Sequence, residues 1–446
     1  GIRIVADELT LAKAAVITAG TAGSGRGGDV IIKAGTASLR GGAQIDSSSF
    51  ASGAGGNVTL HATGDILISG RFKQSDFQSG LFSLSDGTGP GGALTITTDN
   101  ALVMNEGRIL TRTLGDADAG TLTIRAHDLT LTKGAQIFSG IGNPLRPGGP
   151  GSQTGAGRGG DLDVTVADTL TISGTGFRGL QSGLFTNAQV GRGNAGNLFV
   201  SATRISVSDG GIISSISSGN SGGDAGDIRI NVADIAQLSN GSIRAASDGT
   251  SGGNITLTTS SAQLTQGSEI TSSVFGDPET VGGTVIVNGD SLVLLERSKL
   301  TARATQGRGG FIAVNSQVFL HDGVSVTEVL DTRSALGNDG TVEVNSPEND
   351  ISGSITRLPA SFLNAAALLS ERCAVRDADE ASSFVIIGRG VPRGPEDWAL
   401  SSYGHGNSDV VTQAIESRGP EKDRVLEGAH VIADLPVAMI KVSCAR

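Results

Sequence analysis

The sequence predicts an all-β fold: a right-handed parallel β-helix, or solenoid, of about 12 turns over residues 1–350. The first observation is a recurring glycine pair, or a glycine after a small residue, followed by a short run with apolar first and third positions. The first apolar residue of successive copies is Ile2, Val30, Val58, Leu94, Leu122, Leu162, Leu198, Ile228, Ile255, Val285, Ile312 and Val342. The copies are spaced by 27 to 40 residues, a period typical of stacked repeats.

The second observation is that each copy contains three short runs in which apolar and polar residues alternate. In the copy beginning at Leu122, residues 122–124 form the first run, 129–131 the second and 135–139 the third. Polar residues and glycine separate the runs, as at Lys133 and Gly134. Such alternation indicates half-buried strands, and frequent glycine disfavours helices before residue 350.

Stacking of equivalent strands would bury the apolar positions, because a single copy cannot cover its own apolar edge. Right-handed coiling is expected, since parallel crossovers are overwhelmingly right-handed. We attribute the glycines to corners whose backbone angles disfavour residues with a Cβ. Before the first apolar position, six copies carry Asp or Asn: Asp29, Asn57, Asp161, Asn197, Asp227 and Asn254. This column is interpreted as side chains that bond to turn amides rather than as a metal site.

The third observation is that three copies carry extra residues, at 71–76, 143–157 and 175–180. The first and third insertions precede nearly identical segments at 78–82 and 181–185, so we expect both to emerge on one side of the solenoid. Insertions on one face of a repeat protein are often its contact surface, although tolerated loops explain them equally well. Residues 71–76 and 143–157 are the candidate contact loops.

Composition restricts the function. The chain has 446 residues, 68 glycines and a net charge of −11. Along the sequence no cluster of Lys and Arg and no run of aromatic residues stands out, so nucleic-acid binding is not expected. No apolar run approaches the ~18 residues that span a bilayer, so no membrane span is expected. Because Gly1 lies inside a repeat, we expect a piece of a longer precursor.

The composition changes near residue 350. The glycine fraction falls from 60 of the first 350 residues to 8 of the last 96, whereas the charged fraction rises from 55 of 350 to 22 of 96. Residues 351–446 are therefore predicted to be a C-terminal cap or tail of mixed or irregular structure, with a strand at 382–387. Such a cap would cover the open edge of the last turn. Both cysteines, Cys373 and Cys444, lie here, and a disulfide and two free thiols remain equally open.

Several motifs resemble sites but fit the repeat better. Residues 23–28 match the Gly-x-Gly-x-x-Gly pattern, yet a strand is expected after them where a dinucleotide site needs a helix. The histidines of the repeats, His61, His127 and His321, fall at different positions within their copies, which disfavours a catalytic triad or a metal cluster. Asp and Glu are mostly single and at turns. We therefore expect no catalytic, metal or cofactor-binding residues, no cofactor, and no enzyme activity.

The repeats resemble a known family. Three features carry the resemblance: the openings of the type Gly-Gly-Asn/Asp-Val-x-Val, the strands at 129–137, and the Ser-Gly-Leu-Phe segments at 79–82 and 182–185. They are similar to those of filamentous haemagglutinin-like large exoproteins of the two-partner secretion family, above all the cyanobacterial type. The tail resembles that family's C-terminal signature at 373–375, 382–384 and 388–395, without the signature's second glycine and double proline.

This resemblance implies a secreted or cell-surface adhesin on the extracellular face of the Gram-negative outer membrane. It also implies export by an outer-membrane two-partner secretion transporter, which would recognise a region outside these residues. A glycan or a cell-surface receptor is the expected ligand. Two alternatives stay open from the sequence: a carbohydrate-active β-helix enzyme, either lyase or hydrolase, and a passive structural spacer.

Overall fold

The computed structural model describes residues 1–74, 76–142, 156–189, 192–218 and 223–346, and the backbone of two short strands in the tail. By its internal contacts the chain divides into two units, Gly1–Asn349 and Asp350–Arg446. The first unit is a parallel β-solenoid, which confirms the fold class predicted from the repeats.

Each winding of the solenoid contributes three strand segments to two parallel sheets. The first and second segments belong to one sheet, and the third belongs to the other. In seven windings the first two segments run on as one long strand: Ile2–Ala12, Val30–Arg40, Leu198–Ser208, Ile228–Ser239, Asn254–Thr265, Thr284–Leu294 and Phe311–His321. In windings three to six they are separate: Val58–Ala62 and Ile66–Ser69, Leu94–Thr98 and Ala101–Asn105, Leu122–Ala126 and Asp128–Thr132, Leu162–Val166 and Thr169–Ser173.

The third segments form the second sheet. Their bounds are Val16–Thr18, Gln44–Asp46, Gly80–Ser85, Arg108–Thr113, Gln136–Ile141, Gly183–Phe185, Ile212–Ser214, Ser242–Arg244, Glu269–Thr271, Lys299–Thr301 and Leu330–Asp331. The first sheet ends with the strand Thr341–Asn345. The solenoid therefore has twelve first strands and eleven complete windings. Helix is confined, within the described residues, to Val326–Val329 and a 3-10 turn at Phe177–Gly179.

The register of the first strands agrees with the sequence prediction at every copy. Ile2 pairs with Val30, Val30 with Val58, and the pairing continues through all twelve predicted positions to Val342. Spacings from 27 to 40 residues therefore leave the pairing of the first strands unbroken.

The aliphatic positions of all three segments meet in one continuous core. In the winding of Leu122, the side chains of Leu122, Ile124, Leu129, Leu131 and Ile137 are fully buried. Each such side chain contributes roughly 1.5–3 kcal/mol when it leaves water. Inward and outward positions alternate along the strands, as expected for a pleated strand buried on one face.

The paired glycines have a different cause from the one that we predicted. None of the second glycines of these pairs has a positive φ; instead they let the backbones of successive windings approach closely. A Cβ on Gly120 would lie 1.9 Å from the carbonyl oxygen of Gly92, and one on Gly160 would lie 2.0 Å from that of Gly120. The left-handed conformation occurs instead at the corner between the second and third segments, as at Lys133 (φ 50°) and Gly134 (φ 78°).

A row of buried hydroxyl groups crosses the interior beside these glycines and was not predicted. The Ser83 hydroxyl donates to the carbonyl oxygen of Gly56 at 2.6 Å, and those of Thr111 and Ser139 donate to Gly120 at 2.8 and 2.7 Å. Further along, Ser215 donates to the carbonyl of Gly196 at 2.8 Å. The row satisfies carbonyls at the corner that would otherwise be buried without partners.

In the second unit, the backbone of two strands is described. Phe384–Ile386 pairs antiparallel with Ile440–Val442, and the first of these lies within the strand predicted at 382–387. Cys373 and Cys444, and with them the question of a disulfide, lie outside the described residues. That residues 351–446 form a cap stays a prediction.

Candidate functional site

The first and third insertions emerge at the same corner, between the second and third segments of their windings. In winding three, Arg71–Phe72 pairs antiparallel with Phe77–Gln78 to form a hairpin. In winding six, the loop that contains Phe177–Gly179 is closed by an antiparallel bridge between Thr175 and Gln181. The prediction that these two insertions share one side of the solenoid is therefore confirmed. Of the candidate loop at 143–157, residues 143–155 lie outside the described residues.

The two insertions contact each other across the windings between them. The Arg71 guanidinium lies 3.5 Å from the centroid of the Phe177 ring, and the Arg178 guanidinium lies 4.9 Å from it. Asp76 joins the two arginines: Arg71 Nη1 donates to Asp76 Oδ1 at 2.9 Å, and Arg178 Nη2 donates to Asp76 Oδ2 at 3.3 Å. Residues 71–78 other than Ser75, together with 175–181, Glu106 and Lys133, are named the platform.

Neighbouring windings of the solenoid hold the platform in place. A Cβ on Gly176 would lie 1.9 Å from the Lys133 carbonyl oxygen, so the second insertion packs on the turn of winding five. Glu106 of winding four lies with its Oε1 at 4.0 Å from Arg71 Nε. A Cβ on Gly42 would lie 2.6 Å from Phe72 Cβ, so the hairpin also packs on winding two. Both insertions are therefore built onto the stack.

The platform is locally basic on an acidic chain. It carries Arg71, Lys73, Lys133 and Arg178 against Asp76 and Glu106. Lys73 and Lys133 are exposed, and Phe77, in the same hairpin as Lys73, is 57% exposed. Cationic groups next to an accessible aromatic ring suit a ligand with acidic groups and an apolar face.

The polar column before the first apolar positions is a structural ladder, as predicted. The Oδ1 atom of one residue accepts a hydrogen bond from the backbone N–H of its counterpart in the next winding: Asp29 from Asn57 at 2.9 Å, and Asp227 from Asn254 at 3.0 Å. Asn197 Oδ1 accepts from the N–H of Asp227 at 3.1 Å. Within the described residues, no group of three or more His, Cys, Asp or Glu could hold a metal ion.

The ladder provides a stability prediction. Replacing Asp227 by alanine removes the acceptor of two hydrogen bonds, from Asn254 N and Asn254 Nδ2, both at 3.0 Å, and should cost about 1 kcal/mol. Asp227→Asn should be nearly neutral, because asparagine occupies the same column elsewhere. Urea unfolding of both variants checks this, with Asp163→Ala on an exposed strand position as the control. Equal losses in all three variants would contradict the role of the ladder.

The other motifs remain separate from the platform. A strand, Val30–Arg40, follows the glycines at 23–28, as the repeat predicts. His61 pairs in register with Lys33 and Thr97, and the His127 ring contacts Asp128 in winding five. His321 ends the long strand of winding eleven, six windings further on. The described part of the chain contains no helix long and apolar enough to cross a membrane.

The outward face of the second sheet is also buried in the middle windings, which we did not predict. Leu110, Phe138, Phe185 and Ile212 form a separate apolar cluster there. Consecutive apolar residues in these third segments were the available signal, because strands buried on both faces do not alternate.

Beside this cluster lies Arg108, which is 4% exposed and donates to Gln136 Oε1 at 2.8 Å. Burial, followed by repulsion from Arg112, lowers the pKa of the Arg108 guanidinium to about 10. Arg112 itself pairs with Asp86 at 2.7 Å. These two arginines are held inside the folded structure and differ in this from the accessible cations of the platform.

The fold and this surface define a parallel β-solenoid protein whose corner insertions meet in a basic, aromatic platform. No protein-family model, no curated protein and no solved structure matches the chain.

Proposed function

We propose that this chain is an adhesin-like part of a secreted or cell-surface exoprotein, which binds an acidic glycan or receptor through the platform. The observation that carries the proposal is the contact between Arg71 and Phe177. Two insertions that are three windings apart meet there with a cation over an aromatic ring at 3.5 Å. Unrelated tolerated loops would not need to share an ion pair and a stacked ring.

Location and export belong to the same proposal and are supported by the resemblance of the repeats. A solenoid with external insertions suits a surface role, because the stack keeps its shape while loops vary at the corners. The expected export partner is an outer-membrane transporter of the two-partner secretion type, acting on a region outside these residues.

A binding experiment with charge-reversal variants tests this function. The full chain is applied to an array of acidic and neutral glycans and to intact cells. We expect binding to an acidic ligand, weakened about tenfold or more in Lys73→Glu/Lys133→Glu, because reversing two accessible charges removes attraction and adds repulsion. The control, Lys13→Glu/Lys33→Glu, changes net charge equally, and Lys13 occupies a left-handed corner position like that of Lys133.

Two outcomes would overturn the proposal. Absence of binding to every glycan and cell would favour the passive spacer. Equal loss in both double variants would show that overall charge, rather than the platform, governs binding.

A second candidate is a carbohydrate-active enzyme, and one observation favours it. The platform brings two carboxylates, Asp76 and Glu106, to a single guanidinium, although the sequence suggested no such pair. Paired carboxylates perform glycoside hydrolysis. A polysaccharide-cleavage assay with Asp76→Asn and Glu106→Gln tests this candidate, with Asp163→Asn as the control. Failure of the unmodified chain to release product from any polysaccharide would reject it.

A further inference from the structure

A groove of about 650 Å3 lies along the second sheet in windings eight to eleven, remote in the repeat series from the platform. It follows four adjacent third segments, Ser242–Arg244, Glu269–Thr271, Lys299–Thr301 and Leu330–Asp331. Arg244, Thr271, Thr301 and Asp331 pair in register, so they form one column across these windings. Three strand spacings make this column roughly 14 Å long.

One buried carboxylate holds two arginines beside the groove. The Asp331 side chain is 1% exposed, and its Oδ2 accepts from Arg303 Nε at 2.7 Å and from Arg333 Nη2 at 2.7 Å. Its Oδ1 accepts from Arg333 Nε at 3.0 Å. The arginine side chains themselves are 45% and 67% exposed. Their guanidinium groups are thus oriented by Asp331 while N–H groups remain accessible to a ligand.

A hydroxyl network orients an acceptor on the other side of the column. The Thr301 hydroxyl donates to Glu269 Oε1 at 3.0 Å, and Thr301 Oγ1 lies 2.7 Å from Thr271 Oγ1. Thr271 Oγ1 in turn lies 2.9 Å from Ser273 Oγ. Glu269 lines the groove and is held on one carboxylate oxygen. Phe275, 59% exposed, adds an accessible apolar ring to the same lining.

The charges of the groove balance. Arg244, Arg303 and Arg333 are offset by Asp248 and Glu269 in the lining and by Asp331 beneath it. A polyanion would need a cationic excess, which this groove lacks. An extended peptide would need a free strand edge, whereas Glu269–Thr271 already pairs on both sides.

We propose that this groove binds a neutral polysaccharide segment of a few sugar units. Forked N–H donors and a fixed carboxylate acceptor bind sugar hydroxyls, and the phenyl ring of Phe275 packs on the apolar face of a sugar ring. The concave shape and the few convergent polar groups are those of a specific ligand site. The proposal stands independently of the function assigned to the platform, because no platform residue lines the groove.

Titration of the full chain with defined neutral tetrasaccharides tests the proposal, using β-1,4-glucan, α-1,4-glucan, mannan, xylan and galactan fragments, with galacturonan and heparin fragments as acidic arms. At least one neutral fragment should bind. The affinity of the chain for that fragment should fall about tenfold in Glu269→Gln, because this variant keeps the hydrogen bond from Thr301 but removes the charged acceptor. It should fall equally in Arg303→Lys, because lysine lacks the two-pronged N–H donors of the guanidinium group. Arg204→Lys, in a similar pair with Asp168 outside the groove, should bind like the unmodified chain.

Phe275→Ala provides an independent variant, since so exposed a ring contributes little to folding, and it should also weaken binding. The platform double variant Lys73→Glu/Lys133→Glu should leave groove binding unchanged, which separates failure of one proposal from failure of the other. Binding of acidic fragments alone, binding of no fragment, or equal affinity in the groove variants and the unmodified chain would each overturn the proposal.

Discussion

Replacing Gly120 by alanine is expected to lower the free energy of unfolding by about 3 kcal/mol. The added methyl group would lie 1.9 Å from the carbonyl oxygen of Gly92 and 2.5 Å from its carbonyl carbon. Both atoms belong to the backbone of the preceding winding, so no side chain can rotate away. Relief requires the two windings to separate, which weakens the strand pairing between them.

Two further glycines make matched controls in chemical and thermal unfolding. A Cβ on Gly25 would meet nothing within 4 Å, so Gly25→Ala should leave stability unchanged. Gly267 also has open space but a φ of 72°, so Gly267→Ala should cost about 1 kcal/mol through backbone strain alone. If Gly120→Ala lowers the free energy of unfolding no more than Gly267→Ala does, the close approach of successive backbones does not explain the repeated glycines.

Replacing Asp331 by asparagine is expected to cost about 2 kcal/mol near neutral pH. The variant loses the charge that both Arg303 and Arg333 contact, and its amide group would face their N–H donors. The loss of stability is smaller than for a fully buried ion pair, because both guanidinium groups are partly exposed. Asp168→Asn, which breaks the more exposed pair with Arg204, should cost no more than about 0.5 kcal/mol.

The pH dependence of this difference identifies its origin. Burial raises the pKa of the Asp331 carboxyl, but hydrogen bonds from Arg333 and Arg303 lower it more, and the net pKa lies well below its ordinary value. A lowered pKa in the folded state stabilises the fold above the unfolded-state pKa of about 4, and this stabilisation is lost as the pH falls below it. The difference between the native chain and Asp331→Asn should therefore be constant from about pH 5 to 8 and shrink below about pH 4. A constant difference down to about pH 2 would contradict the assignment.

The architecture could be predicted because its determinants are local and repeated. Each first strand carries its own glycine and its own apolar alternation, and stacking simply places equal positions side by side. All twelve predicted partners from Ile2 to Val342 accordingly pair in register. The common side of the two described insertions followed from the same reasoning, because the segments after them are nearly identical.

Other features depend on distances between side chains of different windings, and the repeat pattern of the sequence gives no information about these distances. The stacking of Arg71 on Phe177 depends on how two dissimilar loops fold over the windings between them. The role of the paired glycines cannot be read from the sequence, because a left-handed φ and a close approach of two backbones both select glycine. The groove depends on Asp331, whose partners Arg303 and Arg333 come from two successive windings and look like unrelated surface arginines in the sequence.

The hairpin at Arg71–Gln78 leaves the sheet and returns without disturbing the pairing of the strands around it. The entropic cost of a longer connection grows only slowly with its length. Foreign peptides grafted between Phe72 and Phe77 would therefore be displayed at a defined position along the solenoid axis. Grafts in the corresponding corners of successive windings would form an array with the regular spacing of the strands.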